Sequence, residues 1–158
     1  MTASTSPRIK PPKTTKHLEH LKALVRGEGE LPPIAQLIGF GIVSVDLGEA
    51  VFELEAGRKH ANPLGTLHGG VLCDVADAAI GMAMATTLED DESFTSLDLT
   101  VKFLKPVWNA RLRASAQLVK RTRSLGLLEC DVVDEGGSLV ARVYSTCMVL
   151  RGEDAKGR

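Results

Sequence analysis

The stretch Gly69-Gly70-Val71-Leu72-Cys73-Asp74-Val75-Ala76-Asp77-Ala78-Ala79-Ile80-Gly81-Met82-Ala83-Met84-Ala85-Thr86-Thr87 decides the fold. It is rich in alanine, valine, leucine, isoleucine and methionine on most faces of a helical wheel, so the spacing predicts one long helix from Gly69 to about Thr87. A helix that is apolar nearly all round must be enclosed by other elements. The apolar tract from Val71 to Leu88 contains Asp74 and Asp77, each costing roughly 2.5 to 3.5 kcal/mol at a bilayer centre. It therefore reads as a buried helix of a soluble protein and not as a membrane span.

Working outward, strand-like runs lie on both sides of this helix. Upstream, Ile34 to Ile38 reads as a short helical turn after Pro32 and Pro33. Gly39 to Leu47 and Glu49 to Ala56 follow as a hairpin joined at Gly48. In the second run Phe52, Leu54 and Ala56 alternate with Glu53 and Glu55. Downstream of the acidic loop Glu89 to Glu92, four more runs cover about Phe94 to Leu104, Ala110 to Arg121, Leu125 to Asp134 and Leu139 to Leu150. Pro106, Asn109, Thr122 to Ser124 and Glu135-Gly136-Gly137 punctuate them as turns. In the first of these runs Leu97, Leu99, Val101 and Phe103 share one face, opposite Ser96, Asp98, Thr100 and Lys102. Two strands, one helix and four strands give an α+β fold, an antiparallel sheet of about six strands wrapped around one long central helix. One helix covers only part of such a sheet and open edges invite pairing, so an oligomer is expected.

Residues 1–16, rich in Pro, Lys, Thr and Ser without periodicity, read as a disordered leader. His17 to Arg26 places Leu18, Leu21, Leu24 and Val25 at helical spacing before Gly27 to Gly29, giving an N-terminal helix and linker over 17–32. The main domain is expected over 33–150 and a flexible tail over 151–158. The N-terminus shows no apolar core of a secretory signal.

Composition narrows the function classes. The chain has 158 residues, 44% hydrophobic, 25% charged and 4% aromatic, the profile of one ordinary soluble domain. Lys plus Arg is 19 against 20 for Asp plus Glu, a formal charge of −1, so neither nucleic acid nor an anionic membrane is expected as a partner. Few rings also means no stacking platform for single strands. Cys73, Cys130 and Cys147 form no CxxC pair, which points to a reducing, cytoplasmic compartment. His17 and His20 flank Glu19, but with no third ligand nearby they read as a solvated helix face, and no metal or cofactor is expected.

The chemistry concentrates where the long helix begins, at Asn62-Pro63-Leu64-Gly65-Thr66-Leu67-His68-Gly69-Gly70. Helix N-termini carry unpaired N–H groups and a partial positive charge, and glycines let a ligand approach the backbone, so this place suits an oxyanion; the alternative is that Gly69 and Gly70 merely ease packing. Asp77 sits among Ala76, Ala78, Ala79 and Ile80. Burying a carboxylate costs free energy, so it is either satisfied by a hydrogen bond or aimed into a site, and Asp74, one turn earlier, competes for the role. His68 is open between base, orienting donor and simple backbone partner. No Gly-x-Ser-x-Gly elbow is present and the cysteines lie in apolar contexts, so Ser or Cys nucleophiles have little support.

Asn62, the Leu67-His68-Gly69-Gly70-Val71 run and Asp77 resemble the motif of the PaaI-type acyl-CoA thioesterases of the hotdog superfamily, over about Pro33 to Leu150. The resemblance implies a hotdog fold, homodimers joined into one continuous sheet or paired again as homotetramers, and hydrolysis of acyl- or aryl-acyl-CoA thioesters at subunit interfaces without a cofactor. By position, Asp77 would activate water or attack the thioester carbon, and the Gly69 N–H would polarise the thioester oxygen, with Gly70 beside it against the substrate. Asn62 and His68 would come from the opposite subunit to Asp77, and Ser96 would help hold the water. For the phosphates of CoA, the Lys120-Arg121-Thr122-Arg123 cluster offers Arg121 and Arg123, the alternative being solvated charges at a hairpin turn; Lys102 and Lys105 lie elsewhere. Leu64, Met82, Met84 and Phe94 are candidates for the acyl pocket. The competing readings are a hotdog enoyl-CoA hydratase or dehydratase, which the His-Gly-Gly and Asp spacing fits less well, and a non-catalytic acyl-CoA-binding protein, which has no need of a carboxylate beside the thioester.

Overall fold

The computed structural model describes residues 15–156. All but the last two positions of the expected leader lie outside that range. Of those two, Thr15 caps and Lys16 opens a first helix, α1 (Lys16–Val25): Thr15 Oγ1 accepts the Leu18 N–H at 3.3 Å, and Leu18 and Leu21 form the buried face. A second short helix, α2 (Pro33–Ile38), has proline at its first position and ends at Gly39, whose φ of +91° is the left-handed conformation that closes helices.

The remaining elements are β1 (Phe40–Asp46), β2 (Glu49–Ala56), α3 (Gly69–Ala85), β3 (Glu92–Ser96), β4 (Thr100–Phe103), β5 (Ala110–Arg121), β6 (Leu125–Asp134) and β7 (Leu139–Arg151). All strand pairs are antiparallel, in the order β1-β2-β5-β6-β7-β3, with β4 also on β7. The sheet has seven strands because the run expected from Phe94 to Leu104 is broken in two. Ser96 pairs with Cys147 and Thr100 with Tyr144, both on β7. Between them the Asp98 carboxylate takes the Thr146 N–H at 2.9 Å and the Ser145 hydroxyl donates to the Asp98 carbonyl at 2.7 Å. A short polar side chain has replaced a ladder bond, as Asp readily does.

Register shifts between Ile42 and Ser44, Leu118 and Lys120, and Val132 and Val133 are bulges that sharpen the curl of the sheet. Helix α3 lies in the resulting trough against β2, β5 and β6. Its buried residues, Leu72, Val75, Ala76, Ala79, Ile80, Ala83 and Met84, recur in steps of three and one, which is a single stripe along a helix. Four of the seven are alanine or valine, so the helix settles close to the sheet. Truncating the fully buried Ile80 or Met84 to alanine would cost about 2–5 kcal/mol. At the far end the buried Thr86 hydroxyl donates to Ala83 O and accepts from Gly48 N–H, each at 2.7 Å, tying the β1–β2 turn to the helix.

Arg151, where a flexible tail was expected to start, is still in β7 opposite Glu92, and Gly152–Ala155 forms a 3-10 turn. Among the described residues no helix is long and apolar enough to cross a membrane.

Candidate active site

The segment before α3 is built to aim the helix start. His60 is buried; its Nδ1 accepts the Gly57 N–H at 3.2 Å, which leaves Nε2–H to donate to Ile38 O at 2.7 Å, pinning the segment to the end of α2. Asn62 then folds a tight loop. Its Oδ1 accepts the Leu64 N–H at 2.9 Å, its Nδ2 donates to Thr66 Oγ1 at 2.8 Å, and Gly65 turns the chain at φ +83°. His68 is the N-cap of α3: its Nδ1 accepts the Gly70 N–H at 2.9 Å. That bond places the ring proton on Nε2, so the exposed edge of His68 is a donor and not a base. It also occupies the Gly70 N–H, whereas the Gly69 N–H has no partner among the described residues. Both glycines are closely approached by side chains. A Cβ at Gly70 would lie 2.9 Å from His68 Nδ1, and one at Gly69 would lie 3.1 Å from the Phe103 ring, which covers the helix start.

The second cluster stands two turns along α3, on the face opposite the buried stripe. Asp77 opens onto a cavity of about 340 Å³ whose lining is otherwise apolar except for Asp74, one turn earlier. Burial among those walls is the largest influence on the Asp77 carboxyl and pushes it up; the Ser96 hydroxyl, 3.5 Å from Oδ1, pulls it back, and the nearby Asp74 charge raises it again. No cation pairs with Asp77 among the described residues. Ser96 is the last residue of β3, and on its other side lies the buried Cys147 thiol, 3.9 Å away and pushed up by burial. Asp77 with Ser96 is therefore an uncompensated, proton-avid carboxylate facing an apolar space.

Several expected residues fall elsewhere. Arg121 points inward: its guanidinium pairs with the buried Glu92 at 3.1 Å and donates to Thr122 O, so it is a structural cation. Plain alternation from Leu112, Ala114 and Ala116 would turn Arg121 outward; the bulge between Leu118 and Lys120 reverses the faces and brings it in. Arg123 stays exposed in the β5–β6 turn. That turn lies by the C-terminal end of α3, where Met84 packs on Gly126. Of the four acyl-pocket candidates only Met82 lines the Asp77 cavity. Met84 is fully buried, Leu64 is at an exposed loop tip and Phe94 packs on Gly81. The cavity's outer wall comes instead from Leu24, Leu31 and Ile34 of the N-terminal segment, which no local pattern tied to the site. Among the described residues no three His, Cys, Asp or Glu side chains gather as a metal site.

Residues 64–141 match the profile of the thioesterase superfamily. The chain is 32% identical over 116 residues to the 1,4-dihydroxy-2-naphthoyl-CoA hydrolase of Listeria monocytogenes serotype 1/2a (strain 10403S), covering 73% of this chain and 93% of that one. Among solved structures, a phenylacetic acid degradation-related protein from Ralstonia eutropha JMP134 is 32% identical with a TM-score of 0.73, covering 80% of this chain and 97% of that one. A mutant of the phenylacetic acid degradation protein PaaI from Thermus thermophilus is 30% identical with a TM-score of 0.69, covering 74% and 98%.

Proposed function

Because the chain belongs to the thioesterase superfamily and has its hotdog fold, we propose that it hydrolyses the thioester of an acyl- or aryl-acyl-CoA to the free acid and CoA. The observation that carries this reading is Asp77, a carboxylate without a cation at the mouth of an apolar cavity, its basicity raised by burial. Raised basicity suits either of its two roles. As a base it takes a proton from water, and the hydroxide adds to the thioester carbon. As a nucleophile its oxygen adds directly, giving an anhydride that water then opens. The carbon–sulfur bond breaks as the oxyanion collapses. The thiolate leaves with a parent pKa near ~8.5 on the cysteine model, so no strong acid is required. The Ser96 hydroxyl holds the water or the carboxylate in place.

The oxyanion needs a donor, and the geometry supports a second copy as its source. Gly69 and Asp77 are eight residues apart on α3, about 12 Å along the axis at the helical rise. One reacting carbonyl must lie about 3 Å from each, so the Gly69 N–H and the Asp77 carboxylate that share a substrate belong to different subunits. His68 and Asn62 accompany Gly69, His68 offering Nε2–H to the substrate while Asn62 shapes the loop that aims the helix start. The open edge formed by β3 and β4 and the exposed apolar side chains of Leu97, Phe103 and Leu104 beside it support a homodimer, extendable to a homotetramer. The three free thiols support a reducing, cytoplasmic setting.

The test is release of free thiol from phenylacetyl-, benzoyl- and hexanoyl-CoA by the wild type and Asp77→Asn, with the oligomer measured for both. Turnover by the wild type that falls by about 10²–10⁴-fold in a variant of unchanged assembly is the expected result. Binding of the same thioesters without thiol release would make the protein an acyl-CoA-binding member of its family.

A further inference from the structure

The geometry points to the α1–α2 segment as the wall that selects the acyl group: the acyl chain lies between Ala78 and Met82 of α3 on one side and Leu24, Leu31 and Ile34 on the other, with its carbonyl at Asp77. This rests on the thioesterase reading and adds the part of the chain that sets substrate size.

The only polar side chains in the lining are Asp74 and Asp77, one turn apart on α3; the rest of the lining is aliphatic and aromatic. An occupant must match that polarity, a reactive polar head on an apolar body. Its size is bounded as well: a cavity of about 150 Å³ accommodates a benzene molecule, and about 340 Å³ is roughly twice that. The inner wall cannot be varied cheaply. Phe52 and Phe40 belong to the core and meet edge to face at 5.9 Å, and Ala78 and Met82 ride on the helix that carries the carboxylate.

The outer wall is different. Its helices are anchored at their ends, by the buried Leu18 and Leu21, by the Lys16 N–H to Asp90 at 2.8 Å, and by Ala35 in the core. Between those anchors the chain turns through Gly27 at φ +77° and presents Leu24, Leu31 and Ile34 to the cavity without engaging them in the main core cluster beyond Leu31. Side chains there can change size without disturbing Asp77, Ser96 or the helix start. That is the arrangement expected of a specificity element, because a single methylene of misfit in an apolar pocket shifts discrimination by about 10–200-fold.

The experiment replaces Ile34, which is 51% exposed and so tolerates a larger side chain, and Leu31. In Ile34→Trp the ratio of kcat/KM for phenylacetyl-CoA to that for acetyl-CoA falls about tenfold or more, and in Leu31→Ala the ratio for decanoyl-CoA to hexanoyl-CoA rises by a similar factor. Non-hydrolysable thioether analogues of the same four compounds, titrated calorimetrically, give Kd ratios that move the same way. Ratios that stay fixed in both variants, or that scale equally for every acyl group, overturn the proposal. A wild type that binds the analogues but releases no thiol from any ester would defeat the hydrolase reading alone, and the Kd ratios would then decide the wall. A wild type that binds none of the analogues would overturn the wall as well.

Discussion

Glu92 is buried and Asp77 lies on an exposed helix face beside an apolar cavity; desolvation opposes the charge of both, and their surroundings otherwise treat them in opposite ways. Burial pushes the Glu92 carboxyl up, but the Glu89 N–H and the guanidiniums of Arg151 and Arg121 outweigh it and hold Glu92 below the usual carboxylate range. Asp77 has the same push and only a hydroxyl at 3.5 Å to oppose it, with Asp74 adding to the rise. The first is a fully compensated charge that clips the start of β3 to the ends of β5 and β7. The second is an uncompensated one, and a fold that satisfies Glu92 so thoroughly leaves Asp77 wanting a proton. Compensation by partners, and not desolvation alone, sets the two carboxyls apart.

The contrast predicts a double dissociation. Asp77→Asn lowers kcat by about 10²–10⁴-fold while raising Tm at neutral pH, because a group whose folded-state pKa is raised costs stability when ionised, and the amide removes that cost. A fall in Tm with retained turnover would place Asp77 with Glu92. Glu92→Gln does the reverse. Leaving Arg121 and Arg151 without their anion costs about 2 kcal/mol, or about 4–8 °C in Tm for a domain of this size, with kcat of the folded fraction unchanged. The lowered pKa of Glu92 also fixes the sign of the acid response. Its contribution is complete above the ordinary glutamate value of about 4.3 and is lost as pH falls through the lowered one, so the Tm difference between wild type and Glu92→Gln narrows in acid.

Two smaller effects sharpen the Asp77 side. In the proposed reaction the ionised Asp77 carboxylate is the working form, so kcat is expected to fall on the acid side of its pKa. Ser96→Ala removes the one group that lowers this pKa and moves the acid limb to higher pH, and Asp74→Asn removes a group that raises it and moves the limb to lower pH. Shifts in the same direction would show that Asp77 does not set the limb. The smallest effect is expected at the exposed Arg123, where reversal to Glu raises KM by about two- to tenfold with little change in kcat, whereas Arg121→Gln shows itself in Tm.

Local pattern carried much of the fold. The apolar run from Gly69 gave α3 within two residues of its end, and alternation with turn residues placed β2, β5 and β6 at Glu49–Ala56, Ala110–Arg121 and Leu125–Asp134. Asn62, His68, Gly69 and Asp77 were legible as a motif because the helix start and one exposed helix face are local features. What was not legible depended on partners distant in the chain. The break at 97–99 arises from Asp98 reaching Thr146 and Ser145 nearly fifty residues away. Arg121 looked like a free cation until Glu92 was brought beneath it, and the outer wall of the cavity comes from a segment more than forty residues before Asp77. Of the apolar face expected over the 97–103 run, Leu99 and Val101 pack on the core, whereas Leu97 and Phe103 are more than half exposed in a single chain.

The break at Asp98 has a consequence for the life of the protein at high concentration. A free sheet edge is a template on which any extended chain can add, and long straight edges are the seeds of fibrils. Here that edge is cut into strands of five and four residues with a carboxylate lodged in the gap. A stray strand finds neither the length nor the straightness it needs, and only a surface carrying the same interruption can lie flush along it. The kink guards the edge against indiscriminate strand addition.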